Sequence, residues 1–240
     1  MRLAIIGYGK MGKTIEHLAK AKGHEIAAII NSENDDFWKG NLSEKADVAV
    51  EFTHPEAGYD NIKRCLENGL PVISGTTGWI DKMDDVISTC QKHNGAFFYA
   101  SNFSLGVNIF FEINTRLAAI MDEFPQYEVF VEEIHHTSKK DAPSGTAITI
   151  ANSIIDNLKR KSGWERENMV AFDDLAIKSK RIDPAPGTHI IDYSSKIDSI
   201  EIKHTAHSRE GFAQGALMAA EWLVGRKGVF GMKDLLGLGG

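Results

Sequence analysis

Through the first hundred residues, short apolar runs alternate with segments whose apolar positions recur every three or four residues. The runs RLAII (2–6), EIAAII (25–30), DVAVEF (47–52), PVISG (71–75) and AFFYA (96–100) predict strands. Between them Met11, Ile15, Leu18 and Ala19, and later Ile62, Cys65 and Leu66, fall at helical spacing. This alternation predicts βαβ units and a parallel sheet. The unbroken apolar character of the runs predicts strands covered on both faces. The segment NSENDDFWKGNLSEKAD (31–47) is polar, lacks a period and reads as a surface connection.

The pattern changes after about Asn102. YEVFVEEIHH (127–136), LAIKSKRI (175–182), HIIDYSS (189–195) and SIEIKHTAHS (199–208) predict a more antiparallel, one-sided sheet, with helices near 107–121 and 145–161. The stretch 212–225 is helical again, and MKDLL (232–236) adds a short turn. One lobe therefore begins and ends the chain, over 1–104 and 209–240, and a second fills 105–208. The expected fold is α/β: a Rossmann-type dinucleotide-binding domain with an inserted α+β domain.

A chain of 240 residues suits two small lobes better than one core. With 27 Lys and Arg against 33 Asp and Glu, the net charge is −6, so nucleic acid and acidic membrane surfaces are not the expected partners. No apolar run approaches the roughly 20 residues of a membrane span, and the N-terminal MRLAIIGYGKMG reads as mature structure rather than a signal peptide. Cys65 and Cys90 lack metal-type spacing and read as free thiols in a reducing compartment, so the expected location is the cytoplasm.

IIGYGKMG places Gly7, Gly9 and Gly12 after the first strand and before the first helix, the context a dinucleotide site requires. Gly7 permits the tight turn, Gly9 lets a pyrophosphate approach the backbone, and Gly12 allows close helix–strand packing. The helix end offers free N–H groups to the phosphates. The second strand ends at Asn31 where an acidic ribose ligand is usual, with Glu33 two positions on and no Arg beside it to hold a 2′-phosphate. Cofactor choice between NADH and NADPH stays open. SGTTGW (74–79) and ASNFSLGVN (100–108) follow the fourth and fifth strands, at the sheet edge where ligands bind in open α/β folds. An ordinary capped turn explains either alone as well; both on one edge with the glycine turn favour a site.

The segment EEIHHTSKKDAPSGTA carries the second set of candidates. Pro143 keeps Ala142 out of the helical region, and Ser144 is a natural N-cap. Gly145 and Thr146 then occupy a first turn whose exposed N–H groups suit a carboxylate. His135 and His136 end a strand, so their side chains diverge: one serves as a proton carrier while the other meets an anion. Lys139 reaches the same space and stabilises negative charge. An adjacent His pair by itself is more often surface chemistry, and His204 with His207 raises a metal reading. No acidic spacing near them supports it, and no metal is expected.

These residues resemble the 4-hydroxy-tetrahydrodipicolinate reductase family, whose signature E-x-x-H-H-x-x-K-x-D-A-P-S-G-T-A is closely matched. The resemblance extends through GYGKMG, VEFTHPEA, SGTTGW, ASNFSLGVN and HTAHSREGFAQGAL. It implies an enzyme of lysine and diaminopimelate biosynthesis that reduces a cyclic dicarboxylate with NADH or NADPH. It implies His135 as general acid, Lys139 as second donor, and His136, Gly145 and Thr146 as carboxylate ligands. The cofactor ligands it implies are Gly7, Tyr8, Gly9, Lys10, Met11, Gly12, Asn31, Gly75, Thr76, Thr77, Ala100, Ser101, Asn102, Phe103 and Arg209, with Phe103 close to the nicotinamide. It makes the central domain the substrate and oligomerisation domain of a homotetramer. Asn31 and a short segment between the second and third strands depart from better-known members. Two rivals remain: another small-substrate dehydrogenase, and a non-catalytic dinucleotide-binding redox sensor. A semialdehyde enzyme needs a nucleophilic Cys, and neither Cys65 nor Cys90 stands at a strand-end turn.

Overall fold

The computed structural model describes residues 1–31, 36–167, 171, 173–208 and 210–238. The chain divides into two compact units: Met1–Leu105 with Glu210–Gly240, and Gly106–Arg209. The first unit is built on a six-stranded, wholly parallel sheet. Its strands are β1 (Arg2–Ile6), β2 (Glu25–Ile30), β3 (Val48–Glu51), β4 (Val72–Ser74), β5 (Ala96–Tyr99) and β11 (Gly228–Phe230), in the order β11-β5-β4-β3-β1-β2.

Helices cover both faces, and successive strand residues alternate between two cores. Leu3, Val48, Val50, Ile73 and Phe98 pack against Ile15 and Ala19 of α1 (Lys10–Ala21) and against α7 (Glu210–Leu223). Ala4, Ile6, Ala49, Val72 and Phe97 pack against Ile62, Cys65 and Leu66 of α3 (Pro55–Glu67) and Val86 of α4 (Met83–Lys92). The small residues of α7, among them Ala213, Gly215 and Ala216, let it lie close to the sheet; a Cβ at Gly215 would stand 1.8 Å from the carbonyl oxygen of Phe103.

In the polar segment 31–47, Phe37 and Leu42 join the core. Phe37 lies in a 3₁₀ turn at Asp36–Trp38, and Leu42 opens α2 (Leu42–Lys45), which Asn41 caps. Two isolated apolar residues leave no period to detect, so this segment is more than a surface connection.

The second unit carries β6 (Glu128–His135), β7 (Gly163–Arg166), β8 (Asp174–Arg181), β9 (Gly187–Ser194) and β10 (Ser199–Ala206), ordered β10-β9-β6-β8-β7. The sheet is mixed rather than mainly antiparallel: β6 pairs antiparallel with β9 but parallel with β8, and β8 is parallel to β7. Val129, Val131, Leu175, Ile177, Ile191 and Tyr193 face α5 (Leu105–Met121) and α6 (Gly145–Asn157) in one core. On the other face, Phe130, Ile134 and Ile190 are half-buried beside the Glu132–Lys180 ion pair at 2.6 Å. A last short helix, α8 (Met232–Leu236), closes the chain.

Candidate active site

In the first unit, β1 lies between β2 and β3, so the connections leave it in opposite directions and a crevice opens at its carboxyl end. The glycine turn sits there. Gly7 has φ +93°, and a Cβ on it would fall 2.1 Å from the carbonyl oxygen of Phe52. A Cβ on Gly12 would fall 2.2 Å from the carbonyl oxygen of Gly7. Packing therefore accounts for both. Around Gly9 nothing stands within 4 Å of the missing Cβ, so this glycine leaves room for an incoming group. Gly9 is also the N-cap of α1 and supplies no side-chain cap. The first-turn N–H groups, at Lys10, Met11 and Gly12, thus face the crevice end with a positive dipole. Tyr8 donates its hydroxyl to Glu16, and Lys13 lies over its ring.

A cavity of about 430 Å³ extends from this turn past Ile30 and Asn31 to Trp38 and to α3. A dinucleotide is the kind of group these residues fit: an uncapped helix end, a glycine with empty space before it, and a cavity reaching the end of β2.

Under the same edge lies Glu51, fully buried at the end of β3, which the motif reading passed over. Its Oε1 accepts the Thr53 N–H at 3.0 Å, the Thr53 hydroxyl and the Thr76 hydroxyl at 2.9 Å, and its Oε2 accepts the Ser74 hydroxyl at 2.6 Å. One carboxylate thereby fixes the turns after β3 and β4, including Gly75, Thr76 and Thr77. The available signal was a charged residue closing an apolar run, VAVE, just before a hydroxyl.

After β5, Ala100 is buried, Ser101 exposed, and Asn102 Oδ1 accepts the Ser104 N–H at 2.9 Å. The Phe103 ring is buried, 5.8 Å from Phe98 and 5.5 Å from Phe52, so its side chain belongs to the core of this unit. Asn31 is exposed directly after β2. Glu33 and Arg209 lie outside the described residues.

In the second unit the strand period separates the two histidines: His135 points to the buried face with Val131 and Glu133, while His136 is half-buried on the other side. Register then assembles a cluster, because Glu133 stands opposite Ser179 of β8 and His189 of β9, and His135 opposite Arg181. Glu133 is fully buried. Its Oε2 lies 3.0 Å from His135 Nδ1, and neither atom has another partner. Its Oε1 accepts the Ser144 N–H at 3.1 Å, the Ser179 hydroxyl at 2.7 Å and an Arg181 N–H at 3.1 Å. Burial alone would raise the Glu133 carboxyl. The donors from His135, Ser144, Ser179 and Arg181 outweigh it and hold the group well below the usual carboxylate range. Burial and then the neighbouring His135 charge push the other ring, His189, down to about 4. A Cβ at Gly187 would come within 3.1 Å of His135 Nε2, so glycine leaves that nitrogen uncovered.

Ser144 caps α6, accepting the Ala147 N–H at 3.2 Å, and Gly145 has nothing within 4 Å of a would-be Cβ. The first turn of α6, with Thr146, is therefore open to an anion. Lys139 pairs with Asp141 at 2.7 Å and lowers that carboxyl. His136 Nδ1 shares a hydrogen bond of 2.7 Å with Ser138. Among the described residues, the group with metal-ligand spacing is Glu133, His135 and His189, within 4.8 Å of one another, rather than His204 with His207. Arg181 already neutralises that carboxylate.

A parallel sheet with a glycine turn at its switch point, in one chain with a buried His–Glu pair next to an open helix end, fits a two-unit α/β oxidoreductase. Residues 1–103 match the family model described as dihydrodipicolinate reductase, N-terminus, and residues 106–236 the one described as dihydrodipicolinate reductase, C-terminus. The chain belongs to the dihydrodipicolinate reductase family. It is 46% identical over 237 residues to the 4-hydroxy-tetrahydrodipicolinate reductase of Christiangramia forsetii, covering 98% of both chains. It is 33% identical to that of Methanoregula boonei, covering 96% of this chain and 95% of the other. The fold is that of the dipicolinate-bound dihydrodipicolinate reductase from Paenisporosarcina sp. TG-14, with a TM-score of 0.77 at 22% identity over 98% of each chain. Among the described residues no helix is long and apolar enough to cross a membrane.

Proposed function

We propose that this chain carries out its family's reaction with His135 as the proton donor. It is an oxidoreductase of lysine and diaminopimelate biosynthesis, with 4-hydroxy-tetrahydrodipicolinate reductase activity. The cofactor is NADH or NADPH, which when bound supplies a hydride to the substrate. Gly7, Tyr8 and Gly9 and the first turn of α1, Lys10 to Gly12, hold its pyrophosphate. Asn31 meets its adenosine half, and Gly75 to Thr77 and Ala100 to Phe103 line its remaining length.

The observation that carries the acid assignment is the double hold of Glu133. One carboxylate orients the His135 ring through Nδ1 and fixes the Ser144 N–H, which sets the start of α6. Proton donor and anion site are thereby placed by the same group, which suits a dicarboxylate substrate that must be protonated on one atom while held by another. With Nδ1 turned to Glu133, the Nε2 of His135 is the nitrogen that gives up the proton. The Lys139 ammonium exchanges Asp141 for the negative charge that develops on the substrate. His136, Gly145 and Thr146 bind carboxylate. Burial raises the thiols of Cys65 and Cys90, which argues against a cysteine-nucleophile dehydrogenase. We place the enzyme in the cytoplasm, as a homotetramer joined through the Phe130, Ile134 and Ile190 face of the second sheet.

The test is steady-state oxidation of NADH and of NADPH with freshly generated substrate. His135→Gln is expected to lower kcat by about 10²–10⁴-fold with little change in cofactor affinity. Lys139→Ala is expected to lower kcat comparably. Near-normal turnover by His135→Gln would overturn the acid assignment, and a pure rise in substrate KM would make Lys139 a binding group only.

A further inference from the structure

The residues after β2 lack the cation that a 2′-phosphate needs: no Lys or Arg occurs between Asn31 and Trp38. The fold supplies one from elsewhere. Ala57, Asn61 and Arg64 share one face of α3, and that face lines the cavity that runs from Gly7 and Gly9 to Asn31 and Trp38. The Arg64 guanidinium stacks over the Trp38 ring, 5.4 Å from its centroid, which fixes the direction of an otherwise long and exposed side chain. Among the described residues Arg64 has no carboxylate partner. Asp36, the acidic group beside Trp38, is taken up by Lys39 at 2.6 Å. A second cavity, of about 340 Å³, is lined by the same pair together with Lys39 and Asn68. That end of the cavity is thus bounded by an aromatic face and a guanidinium without a carboxylate partner among the described residues, with a second cation, Lys39, next to it.

We propose that Arg64, held by Trp38, reads the adenosine ribose of the cofactor and selects a 2′-phosphorylated dinucleotide, NADPH, over NADH. The inference rests on the dinucleotide reading of the first unit and adds the residue that sets its preference. In open α/β sheets the ribose hydroxyls of a bound dinucleotide meet the end of the second strand, which here is Asn31, in the same cavity as Arg64. A guanidinium presents paired N–H groups that match two phosphate oxygens, whereas a ribose hydroxyl gains little from it. Asn31, being neutral, neither repels the phosphate nor demands a free 2′-hydroxyl.

The decisive experiment is calorimetric titration of the native protein and of Arg64→Gln with adenosine 2′,5′-bisphosphate and with ADP. Steady-state kcat and KM for NADPH and NADH are measured alongside. Gln keeps the helix propensity of this exposed position, and an unchanged melting temperature confirms the fold. The native protein is expected to bind the bisphosphate more tightly than ADP. Arg64→Gln is expected to weaken the bisphosphate and raise the NADPH KM by roughly 10- to 100-fold. ADP affinity and NADH KM should move less than about threefold, with kcat intact, and Arg64→Lys should recover part of the loss. Equal weakening of both nucleotides would make Arg64 a stacking surface for adenine and overturn the proposal. So would a native protein indifferent to the 2′-phosphate. Failure of both nucleotides to bind the native protein would instead overturn the dinucleotide reading itself.

Discussion

Replacing Glu133 by Gln exchanges one oxygen for an amide nitrogen and removes one charge from the middle of the second unit. In the native protein Oε1 accepts three donors, and Oε2 faces His135 Nδ1 at 3.0 Å. The amide oxygen of Gln keeps the three donors only if its NH₂ stands where Oε2 stood. A protonated imidazole carries hydrogen on both nitrogens, so it then meets that NH₂ donor to donor. A hydrogen bond to a charged group is worth about 1.5–3 kcal/mol, and about 1.36 kcal/mol is a tenfold change in rate. With His135 as the proposed proton donor, losing this support should lower kcat/KM by about ten- to a hundredfold. The assay is kcat/KM for the substrate near neutral pH, for native protein and variant. Stability changes too, because Arg181 is left facing a neutral amide, at a cost of about 1–3 kcal/mol. Its pH dependence has a definite sign. The Glu133 carboxyl is held below its ordinary value of 4.5, so its contribution is complete above that pH and is lost as the pH falls further. The stability gap between native protein and variant is widest near neutrality and closes in acid. A variant with native kcat/KM would show that Glu133 holds the turn before α6 without acting on His135.

Two further outcomes follow from buried groups. Glu51→Gln should cost less than about 1 kcal/mol, since three of its four partners are hydroxyls that can rotate to accept from an amide. Glu51→Ala, which takes the shared acceptor from the Thr53, Ser74 and Thr76 hydroxyls and opens a cavity, should cost at least about 2 kcal/mol and weaken nucleotide binding. Urea unfolding with nucleotide titration checks both, and equal losses for the two variants would refute the account. The His189 ring, pushed down to about 4, refuses in the folded state a proton that it takes at 6.5 when unfolded. Stability should therefore fall by about 2 kcal/mol between pH 6.5 and pH 5 from this group alone. His189→Asn should flatten that loss in urea midpoints, and an unchanged slope would mean that another group drives it.

The strands of the first unit were legible because parallel strands under two layers of helix must be apolar throughout, and such runs stand out. The glycine turn was legible because Gly7 and Gly12 are forced by backbone contact. What escaped has physical causes. β7 (GWER) and β11 (GVF) are in the same range of length as β3, β4 and β5, but they lack the continuous apolar run that marked those strands. Phe37 and Leu42 are single apolar residues anchoring a polar segment. The parallel pairing of β6 with β8 depends on where the chain returns, which no local pattern records. In the candidate site, the divergence of His135 from His136 follows from strand alternation alone. Glu133 was invisible as a hub because its partners Ser179, Arg181 and His189 stand 46, 48 and 56 positions further along the chain. Arg64 looked like an ordinary solvated charge on a helix until α3 was placed beside the end of β2.

Glu51 and Glu133 occupy comparable places: each is a fully buried carboxylate at or near the carboxyl end of a strand, and each ties down the turns that carry site residues. Their partners differ in kind. Around Glu51 every donor is neutral, and most are hydroxyls whose hydrogens can be redirected, so the group works as a passive clamp. Around Glu133 one donor is a guanidinium of fixed geometry, one is a backbone N–H, one is the Ser179 hydroxyl, and the fourth neighbour is the His135 ring. The four donors, His135 first and Arg181 among them, outweigh burial and keep this carboxylate ionised 3.0 Å from the ring proposed as the proton donor. Burial makes that charge costly, and the proposed proton transfer is the step that would draw on it. On this proposal the two clamps differ in tolerance: the one beneath the glycine-turn crevice is built of parts that tolerate exchange, and the one beside His135 of parts that do not.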